Sequence, residues 1–360
     1  MSNPIAIQFP KLGVVKRFGV ESDKQGEFGT PWSMNVRLED EVVSRLRGGS
    51  FTGISAGTRP SSIVYRDRTL TFSGRAVTAS RAGSSTDTTL SADVSDAMRP
   101  ALFQFSEAGE QGGSVVALVP NRDITLLGFT ADETWVQTGN PNTGPRRRVS
   151  DEVGIIGADA WCVANDTVYF LSSRGLYAVG ADGSGLKAIS EDIIPEDLEG
   201  ITDTTCTLTY QHSDRGVYIH KTGVDWFFDT ERGGFWPFDT STTDSHVLIG
   251  PISLGNRGEY GRLTRLVGNI AAESAEVTWR VIVEDTAENA ADHGQIAVKT
   301  ALLGGDYSSM YHSSGTWYEE LNHSVYPKAR GQWLVIWLSA ENPWAFESIT
   351  AEIEKSIKWR

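Results

Sequence analysis

AWCVANDTVYFLSSRGLYAVGADGSGLKAI, residues 160–189, holds four short apolar runs parted by turn residues. The runs cover 161–164, 167–172, 176–179 and 186–189; the gaps are Asn165-Asp166, Ser173-Arg174-Gly175 and residues 180–185. Asn, Asp and Gly accept the backbone angles that tight reversals need, so each gap predicts a hairpin turn. The runs are rich in Val, Tyr, Phe and Leu and too short for ordinary helices, which reads as strand. Four strands joined in order make a meander. A meander of this size cannot bury both faces alone and needs similar sheets beside it, so the stretch reads as one blade of a β-propeller.

The same pattern recurs on either side. Residues 61–66 and 69–74 straddle Asp67-Arg68, and 114–120, 124–130 and 134–138 are parted by 121–123 and 131–133. Runs at 206–212, 217–222, 226–229 and 235–238 make a further meander. Second strands near Leu70, Leu126, Tyr169 and Tyr218 recur at the spacing of roughly 40–55 residues expected of blades. Residues 84–98 are polar and read as a long surface loop, and 190–203 are acidic with a short helix around 195–198. Strands are expected again at 263–270, 276–284, 332–338 and 348–354, with one or two helical turns at 286–292. In the last strand Ile349, Ala351 and Ile353 alternate with polar residues, a period of two. That run predicts a closing strand paired with an N-terminal strand within 8–38, because closure removes free sheet edges. The expected fold is therefore all-β, a β-propeller of six or seven four-stranded antiparallel blades. Residues 1–30 form an arm, 31–360 a single propeller, and about 285–325 an irregular excursion.

Composition narrows the function. Thirty-two Lys and Arg against 46 Asp and Glu give a net charge of −14, which argues against a general nucleic-acid binder, since phosphate binding requires gathered cations. Eleven Trp and 14 Phe suit a packed core. Trp226, Trp236, Trp317, Trp333, Trp337 and Trp344 could stack on sugars, but for most of them core packing is the expectation. The two cysteines, Cys162 and Cys206, read as buried thiols of a protein folded in a reducing compartment. No signal-peptide pattern opens the chain, and no run approaches the roughly 20 apolar residues of a membrane span. The six histidines lack zinc-ligand spacing and read as surface or partly buried. With no GxSxG, Walker or Rossmann fingerprint, no catalytic residue, cofactor or metal is expected.

Two basic clusters stand out in this acidic chain. Arg45, Arg47, Gly48 and Gly49 make a basic turn after the alternating Met34, Val36 and Leu38. Arg146, Arg147 and Arg148 sit in the stretch NPNTGPRRRVS, read as a loop. The first is either a solvated turn or an interface or channel-lining turn, and the second either a solvated loop or a contact with an acidic partner or with DNA phosphate.

Several stretches together resemble the tail nozzle proteins of short-tailed bacteriophages, also called tail tubular protein B or packaged-DNA stabilisation proteins. They are TPWSMNVRLED (30–40) with SRLRGGS (44–50), SDEVGIIG (150–157) with YFLSSRGLYAV (169–179), DTERGGFWPF (229–238), YPKARGQW (326–333) and NPWAFESI (342–349). Asn35-Val36-Arg37 with Arg45, Arg47, Gly48 and Gly49 is the most specific part; the turn around Trp236 is weaker. The resemblance implies a non-enzymatic virion protein, assembled in the host cytoplasm and resident in the tail. It implies a hexameric ring below the head–tail adaptor that extends the DNA channel, retains the genome and guides its ejection. It also implies docking surfaces for a tail fibre, spike or needle, with DNA passing through without specific binding. Family members are commonly longer, with domains inserted in the propeller, so a compact nozzle with short loops is implied here. The alternatives are a carbohydrate-binding or adhesive propeller, suggested by the tryptophans, and a glycosidase.

Overall fold

The computed structural model describes residues 3–11, 14, 30, 32–39, 42–45, 62–239, 241–242, 244–255, 259–271, 274–318 and 323–355. Its chain divides into two compact units, the first made of Met1–Ile54 with Val224–Arg360 and the second of Ser55–Gly223. The first unit opens with β1 (Asn3–Ile7), β2 (Ser33–Met34), β3 (Val36–Glu39) and β4 (Val42–Arg45). Residues 3–7, which the sequence assigns to an arm, are thus a strand.

Three four-stranded antiparallel meanders follow in the second unit. They are β5 (Ser62–Tyr65), β6 (Arg68–Ser73), β7 (Ala76–Ala79) and β8 (Ala101–Phe103); then β9 (Ala117–Asn121), β10 (Thr125–Phe129), β11 (Thr134–Thr138) and β12 (Arg146–Ser150); then β13 (Trp161–Ala164), β14 (Thr167–Ser172), β15 (Gly175–Gly180) and β16 (Lys187–Ala188). The hairpin turns lie within one residue of where the sequence puts them. Asn165 and Asp166 have φ of 49° and 62°, and Arg66 and Asp67 have 52° and 55°. The second turn lies one residue earlier than expected, because Arg68 pairs with Tyr65 as the first residue of β6. Arg68 is 3 % exposed, and its guanidinium donates to the carbonyls of Ser80 (2.7 Å), Arg99 (2.6 Å) and Ala97 (2.9 Å). It thereby ties the far end of the polar loop, at Ala97 and Arg99, to the end of β7 at Ser80.

The apolar faces of the first two meanders close on each other around Tyr65, Leu70, Val77, Phe103, Phe105, Leu118, Leu126 and Trp135. Burying each large side chain stabilises by about 1.5–3 kcal/mol. At Gly128 a Cβ would meet the Phe105 ring at 2.3 Å, so β10 needs glycine there. The unit ends with the short helix α1 (Pro195–Leu198) and the hairpin β17 (Thr207–Gln211) and β18 (Gly216–His220).

The rest of the first unit begins with the hairpin β19 (Asp225–Asp229) and β20 (Phe235–Phe238). Then come β21 (Ser245–Ser253), β22 (Gly261–Ile270), β23 (Val277–Glu284), α2 (Ala287–Leu302), β24 (Ser313–Trp317), β25 (His323–Val325), β26 (Ala329–Gly331), β27 (Trp333–Ala340) and β28 (Ala345–Lys355). They form two larger sheets. One has the order β2-β21-β27-β23-β24; the other runs β25-β22-β28-β4-β3, with β1 also on β28 and β26 also on β22. The closing strand does pair with the N-terminus, though with Asn3–Ile7 and with β4 rather than within 8–38.

Helix α2 is a correction to the expected one or two turns. Its 16 residues bury Ala287, Ala290, Ala291, Gly294, Ala297 and Val298, a helical stripe. Thr286 caps it by accepting from the Asn289 amide at 3.1 Å. The stripe lies on Leu248, Ile282, Val335 and Trp337 of the five-stranded sheet. Among the described residues no helix is long and apolar enough to cross a membrane. Cys162 and Cys206 are buried and not joined in a disulfide.

Candidate functional site

The motif residues Asn35 and Arg37 lie inside the first unit. The alternation of Met34, Val36 and Leu38 predicts one continuous strand, but Asn35 interrupts it with φ of 55°. Asn is one of the few residues that tolerate this left-handed angle. Its side chain is 6 % exposed and acts as a clip. Nδ2 donates to the carbonyl of Asp244 (2.8 Å), Oδ1 accepts from the amide of Asp239 (2.8 Å), and its own amide donates to the carbonyl of Pro237 (3.1 Å). Arg37 is 5 % exposed and its guanidinium carbon stands 5.9 Å from the Phe227 ring centre. Trp236, in β20, is buried and its backbone faces Phe227. Arg45 ends β4 opposite Val36; its side chain, and Arg47, Gly48 and Gly49, lie outside the described residues.

The triple arginine is not a loop. Arg146, Arg147 and Arg148 form most of β12, the outer strand of its sheet, opposite Gln137, Val136 and Trp135. Strand alternation sends the first and third side chains to one face. Arg146 stacks 4.2 Å from the Phe103 ring centre and donates to the carbonyl of Pro141 at 2.6 Å. Burial lowers its pKa from the ordinary value, without removing the charge of a guanidinium. Arg148 lies 5.6 Å from the Trp135 ring centre. It reaches Glu107 at 3.0 Å, Glu133 at 3.3 Å and Glu110 at 3.6 Å. The Glu133 hydrogen bond, followed by the charges of Glu107, Glu110 and Glu133, raises its pKa. Arg146 thus joins the end of β8 to the second meander, and Arg148 joins the loop after β8 to it. Arg147 faces the other way, donating to the carbonyl of Gly183 at 3.2 Å.

A test follows directly. Replacing Arg148 by Gln leaves Glu107, Glu110 and Glu133 facing one another without their shared cation. The melting temperature should fall, and the fall should shrink as salt screens the three carboxylates. Equal melting of variant and parent at low salt would show that the cluster contributes nothing.

One cluster escapes a sequence reading. Arg280 on β23 lies 4.2 Å from the Trp337 ring centre and 5.1 Å from that of Tyr307. It donates to Ser339 Oγ (2.9 Å) and Tyr307 Oη (3.1 Å). His246 accepts from Trp337 Nε1 at 3.2 Å, and its ring centre is 6.2 Å from that of Trp32. At 8 % exposed, His246 is more deeply placed than the surface or partly buried histidine expected. Its only sequence signal is its position beside the apolar run 247–249. Of the six tryptophans weighed as sugar platforms, Trp226, Trp236, Trp317, Trp337 and Trp344 are buried.

No family model matches the chain, and no curated protein matches it. Solved structures give distant likenesses. The extracellular domain of the putative hybrid two component system BT3049 from B. thetaiotaomicron is 8% identical, with TM-score 0.33, over 66% of this chain and 29% of that one. PorZ, described as a bacterial surface component of the type-IX secretion system of Porphyromonas gingivalis, is 11% identical at TM-score 0.27, over 57% of this chain and 27% of that one. The AfRom2 CNH domain is 11% identical at TM-score 0.29, over 76% and 77%. The chain spans 26% to 29% of the length of the first three structures it matches. Its own four-stranded antiparallel sheets make it all-β.

Proposed function

We propose that this chain is a structural virion protein, a tail nozzle subunit that forms a ring extending a DNA channel below a head–tail adaptor. One observation carries the reading: stretches that bear the resemblance, far apart in sequence, interlock within the first unit. The segment 30–40 clips onto 229–238 and its flank through Asn35, Pro237 and Asp239. The segment 44–50 begins at Ser44, which pairs with Ala345 of the segment 342–349. The strands of 326–333 and 342–349, β26 and β28, both pair with β22. Residues that meet to hold one unit together are those a shared fold would keep, which supports the family reading.

The same reading gives the ring a mostly repelling wall for DNA, because 46 acids outweigh 32 bases in every copy. A second reading rests on a different observation. Tyr260, Tyr318 and Tyr326 are 37, 53 and 65 % exposed, and exposed tyrosine rings stack on sugars, as a carbohydrate-binding module requires.

Mass measurement of the purified chain, alone and with a head–tail adaptor, combined with negative-stain images, separates the two. Six-fold rings with a central channel, and no retention of duplex DNA at physiological salt, are expected. A monomer under both conditions that binds glycans would overturn the nozzle and favour the second reading.

A further inference from the structure

The buried imidazole of His246 sits where the N-terminal strand β2 joins β21 in the five-stranded sheet. Met34 of β2 pairs with His246 of β21, and the amide of Leu248 donates to the carbonyl of Trp32 at 3.0 Å. Thr30 Oγ1 donates to the carbonyl of Leu248 and, at 2.8 Å, to that of Trp32. The Trp32 ring stands tilted against the His246 ring at 6.2 Å between centres, so the imidazole packs directly on the segment that β2 belongs to.

The ring's hydrogen bonding fixes its proton. Nδ1 accepts from Trp337 Nε1, which can only donate. The neutral imidazole therefore carries its hydrogen on Nε2, and Nε2 is buried with no partner among the described residues. A second proton would have to go to Nδ1. That would set an N–H of His246 against the N–H of Trp337, inside a site walled by aromatic rings. The charged groups acting on the ring are Asp244, which favours protonation, and Arg280 of β23, which opposes it. Ser339, its register partner on β27, is uncharged, as are Trp32 and Met34.

We propose that His246 is an acid-sensitive latch, whose protonation releases the segment around β2 from β21 while the chain is otherwise folded. Burial, the largest cause, lowers the His246 pKa from 6.5 to about 4. The sign follows from linkage. The folded value lies below the unfolded one, so the latch is at full strength above about pH 6.5 and weakens as pH falls toward 4. One proton gained on opening weakens it by up to about tenfold per pH unit across that window.

Hydrogen exchange of amides at 32–38 and 245–249, corrected for the intrinsic pH dependence, reads the latch in the full-length protein. Parent protein should lose about tenfold in protection between pH 6 and 5 beyond any loss in His246→Asn, which keeps an acceptor for Trp337 and cannot titrate there. Equal losses in the two proteins would overturn the proposal. An NMR titration of the parent imidazole provides a readout independent of whether the variant folds. A pKa below 5 in the folded protein supports the latch; a value at or above 6 overturns it.

Discussion

Removing residues 346–360 is expected to abolish the cooperative unfolding transition of the first unit. β28 pairs with β22 along one side, from Gly261↔Lys355 to Ile270↔Phe346. Along the other side it pairs with β1 at one end and β4 at the other. Its buried residues Ile349, Ala351 and Ile353 alternate with less buried ones, and Phe346 is buried beyond a register shift. The three large side chains contribute about 2 kcal/mol each through burial, close to the roughly 5–15 kcal/mol that separates a folded domain from its unfolded chain. Deletion would also expose the edges of β22 and β1, which invites aggregation. Calorimetry of the truncated chain, with hydrogen exchange at 261–270, tests this. A milder variant, Ala351→Glu, buries a carboxylate at a position with 0% exposure and should cost several kcal/mol without shortening the chain. Unchanged melting in both proteins would mean that β28 is a passive edge.

The meanders were legible because their cause is local. In 160–189 the strands β13 and β14 begin and end at the residues the pattern indicates. Asn165-Asp166 supplies both left-handed positions of the turn, and the apolar runs need only a neighbour of the same kind. Where a strand owes its existence to a distant partner, the sequence is silent. Asn3–Ile7 carries two isoleucines and becomes a strand by pairing with residues near the other end of the chain. Arg146–Ser150 has no apolar alternation, and its strand is imposed by the ladder to β11. Helix α2 presents alanines rather than large apolar residues, so its stripe gave little contrast against the polar face.

The candidate positions were legible, but what surrounds them was not. Arg146 and Arg148 read equally well as a solvated loop or an interface, because their partners Phe103, Glu107 and Glu133 lie far along the chain. His246 had no signal at all in its own neighbourhood beyond the apolar run beside it.

Asn35→Ala should destabilise the first unit by about 3–4 kcal/mol, and the loss has two separable parts. The backbone part comes from φ of 55°, where an alanine Cβ crowds its own carbonyl at a cost of about 1–2 kcal/mol. The side-chain part comes from the Asp244 carbonyl and the Asp239 amide, which lose a donor and an acceptor. A buried polar group left unpaired costs about 1–3 kcal/mol. Asn35→Gly removes the backbone penalty and keeps the hydrogen-bond loss, so it should be less harmful than Asn35→Ala by about the first amount. Asn35→Asp keeps the acceptor for the Asp239 amide but turns a carboxylate oxygen toward the Asp244 carbonyl, where two acceptors repel. Denaturant unfolding of the three variants should therefore place Gly as the mildest. If Gly and Ala were equally destabilised, the left-handed angle would contribute nothing. If all three melted with the parent, Asn35 would not be the clip that joins 32–39 to 235–239.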